Sequence, residues 1–301
     1  MRSGVLYGIG AYGLWGLFPL YFSLLGAAQP PEVLAHRIVW SVLVVIALLA
    51  ATRKLGALRA TIADQRSRRL LVLAALLIAV NWSIFIYAIM ADRVLEAALG
   101  YFITPLVSVA FGVLVLKERL RRTQVVALAM GSVAVVVLTA YYGGFPWISL
   151  VLAVTFGSYG LVKKLAGAGA AEGFAVETLF LLAPAVAFIA LLFALGDATF
   201  ASDGVDHALL LMLAGPVTAI PLMLFAAAVT RVTLTTVGLL QYIAPVLQFL
   251  IGWLVVGEAL PLSRWIGFGL VWIALVLLTL DGLRAAGARR TAIRAPLPEP
   301  V

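Results

Sequence analysis

The residues of this chain that could do chemistry are few and widely spaced. Arg37 and Glu177 each stand among apolar neighbours. A guanidinium there meets anions; a carboxylate meets cations or carries a proton. Asn81-Trp82 and Gln241-Tyr242 each set an amide beside an aromatic ring, and Tyr101-Phe102 aligns with Gln241-Tyr242. Trp15 and Tyr159 add two further aromatic faces. An amide both donates and accepts hydrogen bonds, and a ring face takes apolar or cationic groups. This set suits holding a small amphiphile such as an amino acid, an amine or an aromatic metabolite. It does not suit breaking a bond: the chain has two His, no Cys and no paired catalytic carboxylates, which also excludes disulfides and thiolate metal sites. His207, close to Asp203 and Asp206, is expected in a solvated outer loop. No metal, cofactor or enzymatic activity is expected.

The elements that position these residues follow from composition. The 301 residues are 64% hydrophobic and 11% charged, where soluble domains carry about 25% charged residues. Lipid must be the solvent for most of the chain. About 20 apolar residues cross the hydrocarbon as a helix. Ten such runs fall at 4–25, 33–52, 70–91, 94–116, 123–141, 146–165, 174–195, 207–230, 233–256 and 262–283. Met1-Arg2-Ser3 leads directly into the first run, which reads as a retained span, not a cleaved signal.

The formal charge of +8 is topological. With the N-terminus inside, eighteen of the twenty-one Lys and Arg fall on the cytoplasmic side, and only Arg37, Arg93 and Arg264 fall outside. That bias predicts an even number of spans with both termini cytoplasmic, as expected of a bacterial inner-membrane protein. The basic residues favour anionic lipid over nucleic acid. The longest loop, about 52–69, is too short for a soluble domain, and no phosphate-binding G-x-x-x-x-G-K-[ST] motif is present.

An internal match recurs at an offset of 140. Ile103-Thr104-Pro105-Leu106 aligns with Ile243-Ala244-Pro245-Val246, followed by the pairs Gly112/Gly252, Glu118/Glu258 and Leu120/Leu260. Phe85/Phe225, Ala88/Ala228 and Glu32/Glu172 share the offset, while the first span fits the sixth at 144, from Tyr12-Gly13 onto Phe156-Gly157. The chain divides into five-helix repeats at 4–141 and 146–283 with a disordered cytoplasmic tail at 284–301. Five spans per half is odd, so the second repeat enters the membrane inverted, which predicts a binding site near the midplane.

The chain resembles the EamA-type proteins of the drug/metabolite transporter superfamily, specifically their RarD branch, over nearly its whole length. The resemblance rests on Trp15-Gly16 with Pro19-Leu20-Tyr21-Phe22, His36-Arg37 with Trp40-Ser41, Asn81-Trp82 with Phe85, and Glu96-Ala97-Ala98-Leu99-Gly100-Tyr101-Phe102 with Pro105. In the second half it rests on Tyr159-Gly160-Leu161-Val162-Lys163-Lys164, Glu177-Thr178, and Gly238 with Gln241-Tyr242-Ile243 and Pro245. It implies an all-α membrane fold of two EamA repeats around a central cavity, and permease or exporter activity.

The leading expectation is therefore a secondary transporter of small metabolites or drug-like amphiphiles. Its expected partners are a small-molecule substrate, the bilayer and, as a coupling ion, protons carried by Glu177, Glu96 or His36. The alternatives are a membrane enzyme acting on lipid-linked substrates and a non-transporting scaffold. Arg37 and Glu177 are repeat mates, expected near opposite mouths of one cavity and not paired to each other. A structural reading has Arg37 reaching to the outer headgroups and Glu177 paired with Lys163 or Lys164. Pro105 and Pro245 each remove a helix hydrogen bond and are candidate hinges. Glu118 and Glu258 are expected to pair with nearby Arg residues.

Overall fold

Lipid offers a backbone no water to bond, so each N–H and C=O of a spanning segment must be satisfied within its own helix. The computed structural model describes residues 2–91, 93–142, 145–251, 254, 255 and 273, and its named elements are all helical. They are α1 (Arg2–Gly16), α2 (Phe18–Phe22), a 3-10 turn (Ser23–Leu25), α3 (Pro30–Ala51), α4 (Leu55–Ala63), α5 (Gln65–Met90), α6 (Val94–Leu114), α7 (Arg122–Tyr142), α8 (Trp147–Ala166), α9 (Ala170–Leu195), α10 (Gly204–Val229), α11 (Leu234–Leu240) and α12 (Ile243–Ile251). Six stretches are long and apolar enough to cross a membrane: Ser3–Leu25, Pro30–Ala51, Gln65–Ala88, Trp147–Ala166, Ala170–Leu195 and Gly204–Val229. The expected ten rest in addition on α6, α7, the α11–α12 pair and the run 262–283. That last run lies outside the described residues, as do Glu258, Arg264 and the tail.

Several boundaries differ from the apolar runs, each for a physical reason. The first span is interrupted at Leu17, because Pro19 has no N–H to continue the ladder and i→i−3 bonds from Leu17 to Leu14 and Leu20 to Leu17 take over. The segment 52–69, expected as a loop, contains α4, whose Leu58 is buried. Helices α5, α9 and α10 begin at Gln65, Ala170 and Gly204, several residues before their apolar runs. Apolarity marks only the part of a helix in hydrocarbon, whereas the helix continues into the headgroups. His207 is accordingly in the first turn of α10 and buried, not in a solvated loop.

The two prolines differ. Pro105 lies inside continuous α6, where the Thr104 hydroxyl donates to the Gly100 carbonyl at 2.7 Å. The run 233–256 instead breaks at Gln241-Tyr242, and Pro245 falls in the first turn of α12. A proline there lacks an N–H that would in any case be unpaired, so Pro245 follows a break and is not an interior bend.

Helix pairings come in couples. Helix α8 packs against α5 and α6, and α1 packs against α10 and the α11–α12 pair; α3 meets α9 and α10, and α5 meets α9. The couples extend to single residues. A Cβ on Gly8 of α1 would fall 2.7 Å from Leu240 of α11, and one on Gly100 of α6 would fall 3.1 Å from Leu152 of α8. Gly8/Leu152 and Gly100/Leu240 are separated by 144 and 140 residues, so the small and large partners exchange between the two contacts. The core beneath holds Tyr12, Tyr159, Phe174, Phe225, Leu49 and Leu71.

Candidate functional site

The candidate residues fall into four places. In the first, Arg37 of α3 donates from Nε to Thr218 Oγ1 of α10 at 2.8 Å. Its guanidinium stands 4.8 Å from the Trp82 ring centroid, 5.5 Å from Phe22 and 5.9 Å from Phe18, inside the distance at which a ring face attracts a cation. Tyr21 and Tyr101 are within electrostatic reach of it. Tyr101 also meets Phe85 edge-on at 5.9 Å. Three elements besides its own α3 (α2, α5 and α10) thus contact this one charge, so Arg37 points between helices.

In the second, Trp15 and Tyr159 meet around Phe225. The Phe225 ring stacks on Tyr159 at 5.7 Å and lies 5.8 Å from Trp15 and 5.5 Å from Phe156. The Tyr159 hydroxyl donates to Glu177 Oε2 at 2.9 Å, and Lys163 Nζ makes a buried ion pair with Glu177 Oε1. Glu177 is 2% exposed. The sequence left two readings of Glu177 open; the geometry is that of the pair with Lys163, which reaches it from α8 across the α8–α9 seam.

The third place is Asn81, 4% exposed on α5. Its amide donates to the Leu152 carbonyl and to Thr155 Oγ1, both at 2.9 Å, which ties α5 to α8. The fourth is the α11–α12 break, where Gln241 and Tyr242 are both buried. The Tyr242 hydroxyl packs against Gly131 of α7. Close by, Gly238 admits α6: a Cβ there would stand 3.0 Å from the Pro105 carbonyl oxygen. Clefts of about 340 and 240 Å³ open beside Asp206–Leu213 and beside His36, Trp40 and Phe200. None of the nine candidate cavity residues lines either.

Other acidic side chains hold backbone. Glu118 accepts from the Leu234 and Thr235 amides at 2.7 and 2.9 Å and from the Thr235 hydroxyl at 2.8 Å. It caps α11 instead of pairing with an Arg as expected, because free N–H groups at a helix start favour a carboxylate. Glu96 accepts from the Ile148 amide at 2.9 Å at the start of α8 and pairs with Arg93. Glu32 accepts from the Thr199 amide and hydroxyl, each at 2.8 Å, and the same hydroxyl lies 2.9 Å from His207 Nε2. His36 stacks on Phe200 at 4.8 Å and receives the Trp40 indole N–H at Nδ1. Thr218, Phe18 and Phe156 are contact residues that the sequence reading missed. Thr218 was detectable as a rare hydroxyl in an apolar run; the rings carry no such signal.

The model of the EamA-like transporter family matches the chain twice, at residues 2–140 and 144–280. The chain is 52% identical to the protein RarD of Streptomyces exfoliatus over 297 residues, covering 99% of this chain and 94% of the relative. It is 40% identical to a transporter of Vibrio cholerae, covering 97% and 96%. A solved crystal structure superposes with a TM-score of 0.72 at 24% identity, covering 95% of this chain and 99% of the other, and so shares the fold. With an all-helical structure, multiple apolar spans and full-length matches of this kind, the chain belongs to the EamA-like transporter family, in its RarD branch.

Proposed function

We propose that this protein is a secondary transporter that moves a small amphiphilic metabolite by alternating access between two inverted five-helix repeats. In this reading the repeats are 4–141 and 146–283, completing ten spans with both termini and the tail 284–301 cytoplasmic. The observation that carries the reading is the bond from Arg37, in the first half, to Thr218, in the second. A charge in an apolar bundle is expensive to keep, and this one stands at the seam where inverted repeats place substrate. The exchanged contacts Gly8–Leu240 and Gly100–Leu152 support the pseudo-symmetry, and the double family match supports the division into halves.

Trp82 and Tyr101 line the cavity beside Arg37; Gln241 and Tyr242 line it from the α11–α12 break. Trp15 and Tyr159 form its aromatic floor, with Glu177 behind them. Asn81 acts by fixing α5 on α8. Pro105 and the Gln241-Tyr242 break supply the two points at which the halves flex.

The test is flux. Protein reconstituted into liposomes with verified insertion should move at least one member of a panel of amino acids, aromatic acids and amines. Absence of flux across the whole panel would sink the transporter reading. Dependence of that flux on an imposed proton gradient would assign the coupling ion.

A further inference from the structure

The charges available to a substrate are unequal. Among the described residues, four carboxylates of the bundle are engaged: Glu177 by Lys163 and Tyr159, Glu96 by Arg93 and the Ile148 amide, Glu118 by the start of α11, and Glu32 by Thr199. No anionic group of these sites is left to receive a cation. Arg37 is the reverse case. Its protein partners are one neutral hydroxyl, Thr218, bound through Nε, and three ring faces. No carboxylate pairs with it among the described residues. Rings and a hydroxyl position a guanidinium but do not neutralise it, and a partly desolvated charge without a counter-charge is costly.

With Nε held by Thr218 and three rings within cation–π distance, the terminal nitrogens are the remaining donors, in the planar fork that fits two oxygens of one anion. The surrounding rings of Phe18, Phe22 and Trp82 accept an apolar body next to the anion.

We infer that Arg37 is the anion-binding centre of the cavity, and that the ligand class is a carboxylate carried on an aromatic or branched apolar body, to the exclusion of amines that lack a carboxylate. This inference rests on the transporter reading for its physiological meaning, but the binding site itself does not.

The probes are phenylacetate and phenylethylamine, which share a ring and differ in charge, measured by titration calorimetry on the purified full-length protein. Phenylacetate is expected to bind at least tenfold more tightly than phenylethylamine. Arg37→Gln should weaken phenylacetate at least tenfold, and Arg37→Lys should fail to restore it, since an ammonium keeps the charge but loses the fork and the stacking. Equal or tighter binding of the amine, or no binding of phenylacetate to folded wild-type protein, overturns the inference. So does inorganic phosphate displacing phenylacetate at equal concentration, which would mean that the site reads charge without the ring. If the Arg37 variants fail to fold, the wild-type charge series and Trp82→Leu, expected to weaken phenylacetate severalfold, decide the matter. Flux indifferent to the carboxylate would refute this site and leave the transporter reading standing. Tight carboxylate binding without flux of any compound would do the opposite.

Discussion

Lys163 and Glu177 form a buried ion pair that links α8 to α9, with the Tyr159 hydroxyl as a third partner on the carboxylate. Its energetics differ from those of a surface pair. Removing one partner leaves the other charge stranded in a medium of low dielectric, whereas removing both leaves only a packing change. Lys163→Met should therefore lower stability by about 3–5 kcal/mol, while the double variant Lys163→Met/Glu177→Leu recovers most of that loss. Melting temperatures in detergent check this, and a double variant no better than the single one would refute it. Tyr159→Phe, which removes one hydrogen bond, should cost about 1 kcal/mol.

Glu118 joins the first half to the second by capping α11. Glu118→Ala should cost about 2 kcal/mol, as loss of a charged cap to two amides implies. Hydrogen exchange should rise first at the Leu234 and Thr235 amides. Unchanged protection there would show that the cap is dispensable.

At the α3–α10 crossing, a Cβ on Gly215 would stand 2.5 Å from the backbone carbonyl carbon of Trp40. Backbone cannot move aside as a side-chain tip can. Gly215→Ala should then cost about 1–3 kcal/mol by overpacking, and Gly215→Leu should abolish folded protein. Yield of monodisperse protein by size-exclusion chromatography measures the effect. Because Ser41 donates to the Gly215 carbonyl at 3.1 Å, Ser41→Ala should be far milder.

Asn81 and Gln241, alike in sequence, should behave differently. Asn81→Leu removes two interhelical donors and should lower stability by about 1 kcal/mol. Gln241→Ala, at the helix break, should lower transport with little change in stability. Parallel melting and liposome flux separate the two, and a reversed pattern would refute the assignment.

Asp64, in the connection between α4 and α5, accepts from the Ser67 amide at 2.8 Å. Hydrogen bonds from the Ser67 side chain and backbone hold its carboxyl below the usual aspartate range. A lowered folded-state value favours the folded helix start at pH above the ordinary carboxylate range, and that support is lost as pH falls through the lowered value. Exchange protection at the start of α5 should accordingly fall on acidification, and Asp64→Asn should abolish that pH dependence.

Apolar length, loop charge and the offset of 140 made the helical membrane class legible, because hydrocarbon imposes a one-dimensional requirement on length and polarity. They put all nine candidate residues around one cavity, and only the structure set Trp82 beside Arg37 and gathered Trp15 with Tyr159 around Phe225. Helix ends were less legible, since α5, α9 and α10 run past the hydrocarbon that apolarity records. The choice of partner was not legible at all. Whether Glu177 faces a substrate or Lys163, whether Asn81 bonds a ligand or the Leu152 carbonyl, and whether Glu118 meets an Arg or the start of α11 depend on helix rotation and crossing. Those are fixed by contacts such as Gly215 on Trp40 and Gly8 on Leu240, between residues more than 170 positions apart. Sequence alone therefore determined which groups are too costly to leave unpaired in lipid; only the tertiary structure decided what pairs with each, because a hydrogen bond depends on ångström-scale placement that periodicity does not encode.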